Sequence, residues 1–434
     1  MNMKTILKTS VAASALMAFA APVMAQDTFM GIDRMNQKVK LTIYGQVNKA
    51  VLWGDDGKNS RTFIVDNDVS STRIGFLAMA PVNADFSFGA QFEVEMGSNS
   101  SSPNSAPQGT GANAGGSVQI NNGGASGGTA QDNNVGDINF VERIAEVTMN
   151  HKRFGKISLG NGSTATDGTT EYYQGGAVNV IGVLAAGTAL TGTALYDKTR
   201  MGYYRPTLKS TSAATGVTHG SGVSYYDGAR DDRVRYDTPR FMGFKVAGAF
   251  ASGGEGSTEI HYQNKLGQFN IIGGVGYSNI AGRSSTVGDI VVGSVSVLHD
   301  SGLNAALAAG HRRYKKNTGA QGANANAASE FHDVGNSNSI GGSVGYIAKI
   351  FGAGPTAFGA DYHHFNGIRV QGSNARSIGV GVEQTFSGIG TSAYLGYRNL
   401  SHDVGDREKN TYGTAGAMDL EDLNVVIAGV RVQF

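Results

Sequence analysis

The ionisable residues of this chain sit in strings of alternating polarity. Arg73 lies between Thr72 and Ile74, and Arg143 between Glu142 and Ile144. Arg233 and Arg235 flank Val234, with Tyr236 beyond. In an extended chain, turning the apolar neighbours to one face turns the guanidinium groups to the other. Arginines lining one side of an aqueous gap set up a field that sorts solutes by charge, which is transport chemistry and not bond-making. Bond-making has little to build on. Gly341-Gly342-Ser343-Val344-Gly345 matches a nucleophile-elbow pattern, but it lies inside an alternating strand with no following helix. His363, His364 and Asp361 suggest a metal, yet adjacent strand residues point to opposite faces and share an ion poorly. No His-Glu-x-x-His, phosphate-binding loop or dinucleotide fingerprint stands in a suitable setting. Asp55, Asp56, Asp66 and Asp68 could hold calcium or a cation bridging lipopolysaccharide; solvating a loop is the plainer reading. The expectation is no metal, no cofactor and no enzyme.

The elements that must position these residues are strands. The last twelve residues read LNVVIAGVRVQF; Val426, Ala428, Val430 and Val432 alternate with Ile427, Gly429, Arg431 and Gln433. Such a strand ending on Phe434 suits the closing strand of a barrel with lipid outside and water inside. The same period-two pattern places strands at 39–53, 68–80, 85–97, 138–151, 155–163, 231–240, 243–252, 257–265, 268–279, 286–299, 302–314, 338–350, 355–366, 375–387, 390–402 and 422–434. Short and long connections alternate between them, as on the two rims of an outer-membrane barrel. The long ones include 54–67, 98–137, 164–230 and 315–337; 98–137 and 317–329 are low in complexity and read as surface loops. In 85–97, Phe86, Phe88, Ala90, Phe92 and Val94 would meet lipid or a neighbouring subunit, while Gln91, Glu93 and Glu95 meet water. Trp53, Phe140, Phe241, Phe244, Tyr397 and Phe434 fall near strand ends, where interfacial aromatics sit. Glu146 fits badly: with Arg143 inward it faces outward, unless a bulge shifts the register or it meets a subunit. A soluble sandwich would explain neither the even strand count nor the rim asymmetry.

Composition agrees. Lys4 and Lys8 precede an apolar run from Val11 to Val23 and a small-residue site at Ala25, so residues 1–25 read as a secretory signal. The formal charge of the whole chain is +1, which gives nucleic acid no purchase. With 64 glycines and no cysteine, an exported chain relies on backbone pairing and burial, not on disulfides. Past the signal no apolar stretch is long enough for a spanning helix, and the alternative way across a membrane is a closed barrel.

LTIYGQVNKAV at 41–51, STRIGFLA at 71–78, FGKISLGN at 154–161, VRYDTPRFMGFKVAGAF at 234–250 and the terminal VRVQF together resemble the Gram-negative general diffusion porins, over the whole of residues 26–434. That resemblance implies an all-β, sixteen-stranded antiparallel outer-membrane barrel, a homotrimer joined through its first strands, passing ions and small hydrophilic solutes among outer-membrane lipid and lipopolysaccharide. It implies a loop, here within 164–230, folded into the pore opposite a basic wall matched by Arg73, Arg143 and Arg235, with Arg233 alongside. Gln46 stands where the family often has lysine. Asp167, Glu171 and Asp197 are the acidic candidates, while YYQGGAVNVIGVLAAGTALTG replaces the usual acidic loop motif and leaves charge preference open. The run Val178–Leu190 would pack on the wall or narrow the passage with an apolar patch. Phe434 would be read by the insertion machinery. A substrate-specific channel is the alternative within transport; an outer-membrane hydrolase or a plugged structural barrel are the rivals outside it.

Overall fold

The computed structural model describes residues 39–97, 101, 139–188, 190–204, 218–284, 287–315, 336–368, 372–405 and 418–434. Residues 1–25, where a secretory signal is expected, and nearly all of the low-complexity stretches 98–137 and 317–329 lie outside the described residues. The described chain is a closed antiparallel barrel of sixteen strands. They are β1 (Lys40–Asp55), β2 (in two parts, Ser60–Asp66 and Arg73–Pro81), β3 (Phe86–Gly97), β4 (Asn139–His151), β5 (Gly155–Ser163), β6 (Arg230–Asp237), β7 (Phe244–Ala251) and β8 (Glu255–Leu266). The second half comprises β9 (Phe269–Asn279), β10 (Val287–His299), β11 (Leu303–Tyr314), β12 (Ser337–Phe351), β13 (Gly354–Asn366), β14 (Asn374–Phe386), β15 (Thr391–Asp403) and β16 (Leu423–Gln433). Each strand pairs with its neighbours in sequence, and β1 pairs with β16 from Gln46↔Gln433 to Asp55↔Asn424. Closure leaves no strand edge exposed to lipid, where unpaired backbone groups would cost several kcal/mol each, roughly.

Phe434 extends the closing ladder by exchanging backbone hydrogen bonds with Gly45, 2.9 and 3.1 Å. A Cβ at Gly45 would lie 2.7 Å from the Arg73 carbonyl and 2.8 Å from the Phe434 ring, so this contact requires glycine. Phe76, Phe88, Phe92, Val147, Val234, Phe358, Val430 and Val432 are exposed on the outer face. The most deeply buried apolar residues, such as Leu52, Phe63, Val180, Leu400 and Leu423, lie inside the barrel. An apolar core within the lumen means that some chain fills it.

That chain is the connection from β5 to β6. It runs along the inner wall and contains a short helix, α1 (Val183–Thr188). Its contacts proceed round the barrel. The Ala165 amide donates to Ser257 on β8 at 3.1 Å, and Thr166 meets Ser278 on β9 at 2.6 Å. The Tyr172 and Gln174 amides reach Ser294 and Ser296 on β10. Gly182 donates to Asp361 on β13, and Asn179 to Glu383 on β14. Arg398 on β15 holds the Val180 carbonyl at 3.1 Å. The loop therefore lines the arc from β8 to β15 and closes onto the next strands where Asn48 and Asn67 donate to Asn179; the rest of β1 to β6 faces it across an open passage. Gly381 and Gly396 give it room: a Cβ there would lie 2.5 and 2.8 Å from Val180.

The structure corrects three expectations. The stretch 54–67 is not a long loop. Residues 56–59 form a tight turn closed by Asp55 and Asp56 carboxylates on backbone amides, and β2 begins at Ser60, with Phe63 and Val65 inward and Ile64 outward. The strand expected at 68–80 is interrupted instead, by a 3-10 turn at Asp68–Ser70 whose N-cap, Asn67, accepts from the Val69 amide. Finally, the ladder between β3 and β4 shifts between Glu93 and Val94, leaving Arg143 as an extra residue. This β-bulge turns both Arg143 and Ile144 inward, so Ile144 does not face lipid; beyond it Glu146 is inward too.

Candidate functional site

The open arc and the inner loop enclose a cavity of about 780 Å³ along the barrel axis. The arc contributes a basic wall. Arg73 comes from β2, Arg143 from the bulge in β4, Arg230, Arg233 and Arg235 from β6, and Arg431 from β16. Inward register explains Arg73, Arg233, Arg235 and Arg431, because an arginine facing mid-bilayer lipid costs about 2–4 kcal/mol; the bulge places Arg143, and Arg230 reaches the cavity from the end of β6, at the parity of outward Val234.

Most acids on this wall are held by these cations. Arg143 donates through Nε to Glu93 at 2.7 Å and through Nη1 to Glu95 at 2.5 Å. Tyr44 donates to the second Glu93 oxygen at 2.8 Å. Arg73 Nε stands 3.9 Å from Glu93. Arg233 is buried, bonded to Glu146 and to the carbonyls of Ser163 and Gly160. Arg235 forks onto Asp237 with two contacts of 2.9 Å, and Lys245 Nζ approaches the same carboxylate at 3.0 Å. Such charge-assisted forks fix guanidinium planes in space. Gln46 is also buried here, but as a clamp: its amide donates to Ser70 and to the Ser71 carbonyl at 2.8 Å, holding the interruption in β2 against the lumen.

Opposite stand the loop residues Asp167 and Glu171, with Val178, Val183 and Leu184 beside them. Burial and the neighbouring Asp167 carboxylate push the Glu171 carboxyl up to about 7, against the pull of Arg230 and Arg143. Burial and Glu171 also hold the Asp227 carboxyl well above its ordinary range; its oxygens accept from the Thr170 amide and hydroxyl. Asp197 is elsewhere. It lies in a small hairpin (196–197 with 202–203), where its carboxylate accepts from the Thr199 amide at 3.0 Å and pairs with Arg200. It does not line the cavity.

Sequence reading placed Arg73, Arg143, Arg233, Arg235, Gln46, Asp167 and Glu171, and the structure brings these seven to one cavity. It did not single out Arg230, Lys245, Asp237 or residues 69–71 for this wall, and named Asp68 only as a candidate cation ligand. Arg230 sits one position before the expected start of its strand, and period two assigns it to the face of Val234, opposite Arg233. Arg431 was legible as water-facing but not as part of this wall. Among the described residues no group of three or more His, Asp or Glu side chains is arranged to hold a metal ion.

A family model described as Gram-negative porin matches residues 12–422. Among solved structures, the anion-selective porin from Comamonas acidovorans aligns with a TM-score of 0.53 at 15% identity, over 92% of this chain and 100% of that one. The outer membrane channel DcaP of Acinetobacter baumannii aligns at 0.51 and 11% identity, over 94% and 100%. OmpF of Salmonella typhi, solved with daunomycin, aligns at 0.50 and 13% identity, over 91% and 98%. At these identities the likeness is one of fold. No curated protein sequence matches the chain. Family and fold indicate a channel rather than an enzyme. A closed barrel with lipid-facing apolar side chains, a wet basic lumen and an inward loop belongs to the outer membrane, and the chain is a member of the Gram-negative porin family, a channel for passive diffusion of ions and small hydrophilic solutes.

Proposed function

We propose that the channel prefers anions, and that Arg73, Arg143, Arg233 and Arg235, with Arg230 and Arg431, face Asp167 and Glu171 across its constriction. The observation that carries this reading is the charge of the lining: nine lysines and arginines against six aspartates and glutamates among the described residues. Three of those acids are already bound by wall cations: Glu93 by Arg143, Glu146 by Arg233, and Asp237 by Arg235 and Lys245. A fourth, Glu171, is drawn toward its neutral form, because burial and the Asp167 carboxylate raise its carboxyl to about 7. Surplus positive charge between low-dielectric walls raises the local anion concentration. In proteoliposomes, anionic solutes should enter faster than cationic ones of equal size. Faster entry of the cationic series would reverse the assignment.

The wider reading has three further parts. Residues 1–25 act as an export signal, on the strength of their two lysines, apolar run and small-residue end. The protein works as a homotrimer joined through its first strands, where Phe76 faces Phe92 and Ala78 faces Ala90 across the outer surface of β2 and β3. Such a face of small and aromatic side chains permits close approach of a second barrel. The rim of longer loops faces lipopolysaccharide.

A further inference from the structure

We propose that the constriction is also a binding subsite for small carboxylates with an aromatic or branched aliphatic body. The proposal rests on the anion-preferring reading and names the solute class that the same cavity holds longest. The loop segment from Val178 to Leu184 is amphipathic in an unusual sense. Val180 and Ile181 are buried against the barrel wall and anchor it. Val178, Val183 and Leu184 line the cavity, with the edge of Ile181 beside them, and Leu184 has 39% of its surface exposed. On the other side of the passage the bulge places Ile144 next to Arg143. A plain aqueous sieve gains nothing from apolar side chains on both banks of its narrow zone, because water wets them poorly.

This apolar strip is held in place, not merely exposed. Asn179 donates to Glu383 through its backbone at 3.1 Å and its side chain at 2.8 Å. Gly182 donates to Asp361 at 2.8 Å, and Arg398 grips the intervening Val180 carbonyl. Anchors on both sides fix where Val178 and Val183 point, so little ordering is left for a solute to impose. Arg73 and Arg230 line the cavity with guanidinium groups that suit a planar carboxylate, and Arg143, held by Glu93 and Glu95, adds its charge beside them. A solute with its carboxylate on the arginines and its body on the strip satisfies both banks; acetate reaches only one, and an organic cation is opposed by the wall.

The test is block of chloride current through single channels of the full-length protein by acetate, benzoate and benzylammonium. Benzoate should interrupt the current with an affinity about tenfold tighter than acetate, equivalent to about 1.4 kcal/mol, and benzylammonium should be weakest. In the double variant Val183→Ser, Leu184→Ser the benzoate-to-acetate ratio should fall to about one. Equal block by benzoate and acetate in a channel that still prefers chloride over potassium would overturn the subsite and leave anion preference standing. Strongest block by benzylammonium in a potassium-preferring channel would overturn both. The wild-type comparison needs no variant, so poor folding of the double substitution cannot shield the proposal.

Discussion

Glu171 is the residue whose chemistry sets the condition under which the channel works. Its carboxyl, raised to about 7 by burial and by Asp167, is neutral below that pH and adds a negative charge to the cavity above it. Asp227 shifts the same way, and Arg230 and Arg143 oppose the shift. Anion preference should therefore decline as pH rises through about 7, seen as a falling chloride-to-potassium permeability ratio between acid and alkaline baths. Glu171→Gln should flatten that profile; an unchanged slope would assign it to another group. Replacing Arg73 and Arg143 together with glutamine should move the ratio severalfold toward potassium, because Glu93 and Glu95 lose their main cation. An unaltered ratio would remove both arginines from the constriction. Sequence turned Arg73 to water because its apolar neighbour Ile74 pairs outward with Val94; Arg143 is inward as well, but not on the ground of an outward Ile144. Sequence reading misjudged Ile144, while the misfit of Glu146 left a bulge and a subunit contact as open explanations; the register shift at Arg143 is the first of these.

At the scale of elements, two devices hold the channel to its shape. The inner loop is fastened by buried ionic groups, above all Asp361, which accepts from Gly182 and from both Arg398 amino groups at 2.8 Å. Removing one partner of such a buried pair costs about 3–5 kcal/mol. Asp361→Ala should release the middle of the loop, giving larger, noisier single-channel currents and a lower melting temperature; currents of wild-type size and steadiness would show that the loop is held by packing alone. The closing seam is the second device. Phe434 extends it by two backbone hydrogen bonds over Gly45. Deleting Phe434 should sharply lower the yield of membrane-inserted, heat-resistant barrel, measured by gel mobility with and without boiling. Wild-type yield would deny that residue its assembly role. Strands were readable throughout because one face meets lipid and the other does not, so the pattern has period two. The interruption of β2 was not readable, since its stabilising contacts, Gln46 and Asn48 with Ser70 and Asn67 with Asn179, join residues far apart in sequence.

For the whole molecule, closure and filling are separate achievements. The ladder from β1 through β16 makes a wall with no edge, and the long connection between β5 and β6 turns an open tube into a narrow asymmetric passage. The tube was legible in the strand count; an inward segment within 164–230 was implied by the family resemblance alone, and its path was not legible, because a loop that packs against a wall follows that wall and not its own periodicity. If barrels associate through β2 and β3, detergent-extracted protein should have the mass of three chains by light scattering, and monomer at assay concentration would count against the trimer. The central claim is a water-filled channel whose wall carries surplus positive charge. Its most direct test is the zero-current potential of single channels across a potassium chloride gradient near neutral pH. The expected potential has the sign of chloride selectivity and moves toward zero as ionic strength rises, because salt screens the fixed charges. A potential of potassium sign, or no conductance at all, would contradict it.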